Sequence, residues 1–334
     1  MIKILTYAPA IGDGTSFYRL AGVMPYLEQE YSDIKVTDIS NNKFIDWYIL
    51  IGADILLFQR PFNEQHFAAI KMARNMNIKV VIDYDDDLFN IPQDNPVHLS
   101  FEPHKETMKL ICQVVDEIWV STDAIKRTVS FWNKNVTIIP NALNDYVLPV
   151  NKKKEFNLET KKVAYRGGTT HEVDVYSKID QWSSIINNNK DFEFYFLGAR
   201  FLFLESLCGD NYNAMVGMHI IDYFKFFSEL NPNIFIYTLK DTPFNRAKSN
   251  ISWIEATYAG ASVIAPEFLP EFATMPGVIT YNELMDSVFE NVKDLNKGLA
   301  ITNDLSWKYI RQNLLLSQVN NQRYQSLLAL KKSK

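Results

Sequence analysis

The sequence predicts an α/β chain built from two tandem, doubly wound parallel-sheet domains of the Rossmann-like kind. Three observations carry this expectation. Short β-branched runs alternate with longer amphipathic stretches along the whole chain. The runs are apolar throughout, as in strands covered on both faces, and do not alternate as half-exposed strands do. A polar, lysine-rich stretch without periodicity, NKKKEFNLETKK (151–162), separates two copies of the pattern. A chain of 334 residues suits two cores of about 150 residues each. Its 47% hydrophobic and 22% charged content marks it as globular, not disordered.

In the first copy, strands are expected at IKILTY (2–7), IKVTDI (34–39), DILLFQ (54–59), KVVIDY (79–84), EIWVST (117–122) and VTIIPN (136–141). Helices are expected between them near 17–30, 63–76, 103–115 and 124–132. The second copy offers strands at KVAYRGG (162–168), FEFYFLG (192–198), NIFIYTL (233–239), SVIAP (262–266) and VITY (278–281). Its helices are expected near 172–187, 222–230, 250–259 and 282–292. A last helical stretch, 306–330, is too long for a simple cap. The domains are therefore expected at 1–150 and 151–305, followed by a C-terminal helix at 306–334. Ligands of such sheets bind beyond the carboxyl ends of the strands, so a cleft between the two domains is the expected site.

Charge and cysteine usage narrow the function classes. Residues 1–150 hold 13 Lys/Arg against 19 Asp/Glu, and the remainder holds 21 against 20. An acidic first half argues against a broad phosphate-tracking surface there, while leaving room for a local basic groove. Cys112 and Cys208 form neither a disulfide framework nor a zinc spacing. No apolar run approaches the ~18 residues of a membrane span. The N-terminus reads as a first strand, not a signal peptide. The expected compartment is the cytoplasm, a host's cytoplasm if the gene is a phage's.

Four stretches carry candidate chemistry. FNRAKSNISWIEATYAGASVIAP (244–266) reads as a helix capped by Ser249, begun at Asn250 and ended by Gly260. Its mouth offers unpaired N–H groups to an anion, with Asn245 and Lys248 beside it. Glu255, farther along, is placed to accept two hydrogen bonds from vicinal hydroxyls. Phosphate at the mouth and a diol beyond it describe a nucleoside diphosphate; an ordinary surface helix with a solvated glutamate is the plain alternative. YRGGTTHEVD (165–174) places Gly167 and Gly168 at a strand-to-helix junction, with Thr169 or Thr170 as cap. Arg166 there points either to phosphate or to a carboxylate, and His171 either faces the cleft or is structural.

The third stretch, APAIGDGTSFYRL (8–20), lacks the third glycine of a dinucleotide fingerprint and reads as a cleft loop formed by Gly12, Asp13, Gly14 and Thr15. Arg19 near its helix meets either a phosphate or a structural partner. IDYDDDLF (82–89) sets four carboxylates at a strand end, able to hold a metal or to move protons.

Together these stretches resemble the GT-B glycosyltransferases, specifically the retaining nucleotide-sugar enzymes of bacteria and phages. The resemblance runs in order through GTSFYRL (14–20), IDYDDDLF (82–89), WVSTDAIKRTV (119–129) with IIPNAL (138–143), RGGTTHEVD (166–174) and DTPFNRAKSNISWIEATYAGASVIA (241–265). It implies a donor held by the second domain and a C-terminal helix that crosses back to the first. Lys248 would neutralise the diphosphate, helped by Ser249 and Asn250, and Glu255 would bind the ribose hydroxyls. Arg166, Gly167 and Gly168 would lie near the phosphates, while Gly12–Thr15 close from the other side. Where many retaining members carry a sugar-binding acid, eight positions before that glutamate, this chain has Ala247.

The implied activity is transfer of a hexosyl or pentosyl group from a nucleotide sugar, UDP-sugar favoured, to an acceptor hydroxyl. Retention of configuration is expected, with no metal or other cofactor. An inverting enzyme would need a base, for which Asp85, Asp86, Asp87 and His171 are the candidates. The acceptor is a bacterial glycan or glycolipid, or a hydroxymethylated base in phage DNA flipped out against Phe17, Tyr18 or Phe89. Peripheral membrane contact is a further expectation. Two other readings stand beside this one: a nucleotide-sugar binding protein without activity, and a metal-dependent enzyme centred on Asp83–Asp87.

Overall fold

The structure is a computed structural model that describes residues 1–9, 14–150, 154–157 and 160–332. Gly12 and Asp13 of the expected cleft loop lie outside the described residues, as do 151–153 and 158–159 of the lysine-rich stretch. The chain forms two compact units. The first comprises Met1–Gln93, Val97–Leu148 and Leu314–Lys334; the second comprises Asp94–Pro96 and Pro149–Asn313.

In the first unit the strands are β1 (Ile2–Tyr7), β2 (Ile34–Asp38), β3 (Ile55–Gln59), β4 (Lys79–Tyr84), β5 (Glu117–Val120) and β6 (Val136–Ile138). They lie side by side in the order β2-β1-β3-β4-β5-β6, every pair parallel. The second unit holds β7 (Lys162–Arg166), β8 (Glu193–Leu197), β9 (Tyr212–Met215), β10 (Ile234–Ile236), β11 (Ser262–Pro266) and β12 (Val278–Tyr281). Their order is β12-β11-β10-β7-β8-β9, again all parallel. In each sheet the order turns outward in both directions from the first strand, the doubly wound pattern that opens a crevice at the carboxyl edge.

The sequence anticipates eleven of these strands and misses β9. Its residues, YNAM, are half-buried at the sheet edge and carry no β-branched side chain, so neither run nor alternation marks them. The expected helix 17–30 is two helices, Gly14–Arg19 and Met24–Glu30, the second with Pro25 in its first turn. The expected 172–187 helix is likewise divided, into Glu172–Tyr176 and Ile179–Asn188. The long C-terminal stretch is also two helices, Asn296–Asn313 and Leu316–Lys332. Between them Leu315 bridges Leu143 in parallel register, with Leu143 donating to Leu314 (2.8 Å) and Leu316 to Leu143 (2.8 Å). Neither Gly nor Pro marks that break; a distant strand-like partner makes it.

The Leu316–Lys332 helix belongs to the core of the first unit. Leu316, Val319, Leu327 and Leu330 pack among Ile2, Ile4, Ile55, Leu57, Val81 and Trp119. Asp145 caps it, accepting from the Ser317 backbone (3.0 Å) and hydroxyl (2.6 Å). Farther along, Ser326 accepts from the Trp119 indole (2.9 Å) and donates to Glu117 (2.8 Å). No helix among the described residues is long and apolar enough to cross a membrane. The FKFF run (224–227) lies in the helix Ile220–Leu230, whose Phe224 and Phe227 are buried, so its aromatic character is core packing.

On the other face of the first sheet, Tyr7, Phe58 and Phe62 surround the His66 ring at 4.9–6.3 Å between centroids. His66 Nδ1 accepts from the Phe62 backbone N–H (3.1 Å). Burial, with a smaller push from the neighbouring His104, lowers its pKa to about 4. At this site the folded chain therefore binds fewer protons than the unfolded one between about pH 4 and 6.5, and the contribution of His66 to stability falls as the pH drops through that window. Urea titrations should show about 3 kcal/mol of such loss, absent in His66→Gln. An unchanged pH profile in that variant would remove His66 as its source.

Candidate functional site

In the second unit the carboxyl edge of the sheet gathers four segments of irregular backbone. β7 ends at Arg166 and runs into Gly167 and Gly168. Beside it β8 ends before Gly198, which has φ +105° and whose added Cβ would fall 2.8 Å from the Gly167 carbonyl oxygen. Only glycine fits a strand end so close to its neighbour's backbone in that conformation. A Cβ at Gly168, by contrast, would meet nothing within 4 Å. Packing does not require that glycine, and the space above it is open.

The segment after β10 carries the third and fourth pieces. Thr242 caps the short helix Pro243–Arg246 by accepting from the Asn245 N–H (3.1 Å). After a turn through Ala247–Asn250 comes the helix Ile251–Tyr258, closed by Gly260 at φ +99°. Every residue from Ser252 to Tyr258 is buried, so this is a core helix and not a surface one. Glu255, on this helix, is 0% exposed. A carboxylate with no access to water needs charged or hydrogen-bonded partners. It has them in Arg166 Nε, 3.2 Å away, and the Tyr223 hydroxyl, which donates to the same Oε2 at 2.9 Å. The plain alternative of a solvated glutamate is thereby overturned, and Arg166, 28% exposed, is directed at a carboxylate.

A second buried carboxylate fixes the loop that leads to this helix. Asp174 Oδ1 accepts from the Lys240 backbone N–H (3.0 Å) and from Asn245 Nδ2 (2.8 Å), and its Oδ2 lies 2.8 Å from His171 Nδ1. Asn245 also donates to the Lys240 carbonyl (2.9 Å). Its side chain is thus turned inward, buried, and holds the loop together. Three capping expectations are corrected. Ser249 does not cap the helix: Asn250 holds the N-cap position, with no side-chain cap bond. Thr169 and Thr170 lie inside a 3-10 turn, Thr169–His171, whose N-cap is Gly168. The turn tightens the chain before the helix begins, so the threonines fall past the capping position.

Lys248 stands over the face of Phe244, 4.3 Å from the ring centroid, at the turn preceding the helix mouth. Ser249 beside it is half-buried and Asn250 buried. Arg246 is paired with Asp241 (2.7 Å) on the outside of the segment. Ala247, where the resemblance leaves an acid missing, is buried and brings no charge.

In the first unit the predicted residues divide into two groups. Gly14 and Thr15 open the helix Gly14–Arg19 and are half-buried. Arg19 closes it and, of its two expected partners, a phosphate or a structural one, meets the structural one. It is 1% exposed and donates through Nε (2.9 Å) and Nη2 (2.7 Å) to Asp83 and through Nη1 to Ile139 O (2.6 Å) and Asn141 Oδ1 (3.1 Å). Arg323, from the C-terminal helix, is buried nearby, its pKa drawn down to about 9 by burial and by Arg19. Arg60, at φ +46° after β3, takes both Asp85 and Asp86, the latter at 2.8 Å. Asp87 is buried, accepts from Asn90 (2.7 Å) and Thr128 (3.1 Å), and has its pKa raised by burial. Tyr18 and Phe89 are buried, which removes them as stacking faces; Phe17 is half-buried against Tyr18.

The four-carboxylate stretch is therefore answered by arginines and hydrogen-bond donors. Among the described residues no group of three or more His, Cys, Asp or Glu is placed to hold a metal ion. Three residues of the second-unit cluster went unnoticed in the sequence. Tyr223 hides in an aromatic helix that reads as core, and Gly198 reads as the end of a strand. Asp174 was within a quoted motif, where its spacing from His171 is the one available signal.

No family model matches the sequence, and a search of curated proteins returns no match. Solved structures do match. A UDP-forming α,α-trehalose-phosphate synthase from Burkholderia xenovorans is similar at TM-score 0.67 and 11% identity, over 99% of each chain. An α-glucosyltransferase, determined with UDP-glucose and DNA containing an abasic site, is similar at TM-score 0.66 and 12% identity, over 98% of this chain and 99% of that one. A putative UDP-N-acetylglucosamine 2-epimerase from Listeria monocytogenes is similar at TM-score 0.63 and 11% identity, over 100% and 97%.

Removing the Asp174 carboxylate would leave the Lys240 N–H without its acceptor and the Asn245 amide with the Lys240 carbonyl but no carboxylate. Asp174→Ala should cost about 2–4 kcal/mol in urea unfolding. A loss below about 0.5 kcal/mol, the range of an ordinary surface change, would mean that the loop is held by other contacts.

Proposed function

We propose, from the premise that this chain has the GT-B fold, that it transfers a sugar from a UDP-sugar to an acceptor hydroxyl. The observation that carries the reading is Glu255. A fully buried carboxylate is held in a core helix just beyond the helix mouth, with Arg166 and open space above Gly168 on the same sheet edge. In this reading the ribose diol donates to Glu255, while Arg166, Lys248 and the N–H groups at the mouth of the Ile251–Tyr258 helix receive the diphosphate. The UDP preference is supported by the solved neighbours, among them a UDP-forming synthase and a glucosyltransferase determined with UDP-glucose.

The chemistry follows from charge. Cleavage of the sugar–phosphate bond leaves negative charge on the nucleoside diphosphate, and fixed cations and helix N–H groups favour that state. No metal is required by the residues present, since Lys248 and Arg166 supply the countercharge. Retention of configuration fits a site in which a donor phosphate oxygen takes the acceptor proton. An inverting route would need a base, and Asp86 is engaged by Arg60 while His171 lies against Asp174. The acceptor we favour is a glycan or glycolipid hydroxyl, because the 1–150 region is acidic. A DNA acceptor is the second reading, supported by the full-length likeness to the glucosyltransferase determined with DNA. The epimerase has a similar fold, so release of a free epimer without transfer is a third outcome to be looked for.

Calorimetry with UDP, GDP and ADP tests the donor. Selective binding of UDP is expected, weakened about tenfold or more in Lys248→Ala and in Glu255→Ala, as befits loss of a charged hydrogen-bond partner. Absence of binding to all three nucleotides would end the transferase reading. Labelled UDP-sugar offered with hydroxymethylated duplex DNA or with glycan acceptors then separates the two acceptor classes.

A further inference from the structure

We propose that Tyr223 is a positioning residue for the nucleotide's ribose, acting through Glu255; this rests on the donor-site reading above. Tyr223 lies on the helix Ile220–Leu230, and its ring packs against Phe224 and Phe227 at 5.5 and 5.6 Å between centroids. Packing explains the ring, since a phenylalanine would fill the same space. It does not explain the hydroxyl, which is buried and must find an acceptor. That acceptor is Glu255 Oε2, at 2.9 Å, the atom that also faces Arg166 Nε at 3.2 Å.

Arg166 and Tyr223 differ in what they can do next. Arg166 is a partly exposed cation at a strand end, adjacent to Gly167 and Gly168, and an arriving diphosphate competes for it. Tyr223 is neutral and enclosed in aromatic packing, its hydroxyl in contact with Arg166 as well as with Glu255. It remains on Oε2 when the nucleotide binds, so it fixes the carboxylate plane against which the two ribose hydroxyls must align. Arg166 links the halves of the ligand by exchanging carboxylate for phosphate, whereas Tyr223 keeps the diol half in place throughout. Without the hydroxyl, Glu255 has one fixed partner fewer and the diol meets a less ordered acceptor.

The test separates the diol from the rest of the nucleotide. Binding of UDP and of UDP lacking both ribose hydroxyls is measured on wild type, Tyr223→Phe, Glu255→Gln and the double variant. Tyr223→Phe should weaken UDP about tenfold and leave the dideoxy nucleotide within about twofold. In the Glu255→Gln background the same change should have no further effect, because the tyrosine acts through that carboxylate. Equal weakening of both ligands in Tyr223→Phe, no weakening of either, or failure of that variant to fold would assign the hydroxyl a packing role and overturn the proposal. A wild type that binds neither nucleotide, or binds both equally, or a Glu255→Gln that loses both alike, overturns the donor-site reading itself and this inference with it.

Discussion

A sheet of parallel strands is covered by helices on both faces, and its carboxyl edge is the place where backbone polarity is left to loops and side chains. Both units of this chain obey that constraint, and their polar chemistry collects there. They resolve it differently. In the first unit the edge is closed by Arg19, which reaches Asp83 on β4 and the backbone just after β6 from within the core. In the second, Arg166 answers Glu255 but stays partly open, near Gly168 with free space above it. One arginine is wholly enclosed, and the other keeps part of its surface exposed.

Buried carboxylates organise both edges. Taking such a charge out of water costs several kcal/mol, and its partners recover that cost only with good geometry. Their value is therefore in fixing position. Asp174 ties the start of one helix to the loop before the next, and Glu255 ties two helices and a strand end together. The four clustered carboxylates of the first unit suggest a metal or a base when read as letters. In space, Asp83 belongs to Arg19, Asp85 and Asp86 to Arg60, and Asp87 to Asn90 and Thr128.

The C-terminal helix shows how much of the first unit is completed from far along the chain. Its apolar face enters the core beside β1 and β3. Its polar contacts are specific: Ser317 with Asp145, Ser326 with Glu117, Asn320 with Glu30, and Tyr324 stacked on Tyr31 at 3.8 Å. Arg323, buried on the same helix, joins Arg19 and Asp83 in one charged cluster, so residues more than 300 positions apart share an electrostatic environment.

Legible in the order of residues alone were the fold class, eleven of the twelve strands among the described residues, and the second-unit segments that carry charge and glycine. These are local properties: apolar runs, helical periodicity and turn residues act within a few positions and leave their mark in the order of letters. Tertiary structure decided what each polar group faces. It turned Asn245 inward, closed Arg19 onto Asp83, moved the cap from Ser249 to Asn250 and brought Tyr223 to Glu255 across 32 positions of chain. It also broke the C-terminal helix at Leu314–Leu315 through pairing with Leu143. The physical reason is the same in each case. A buried polar group is placed by partners brought to it through packing, and distance along the chain does not encode which partners those are.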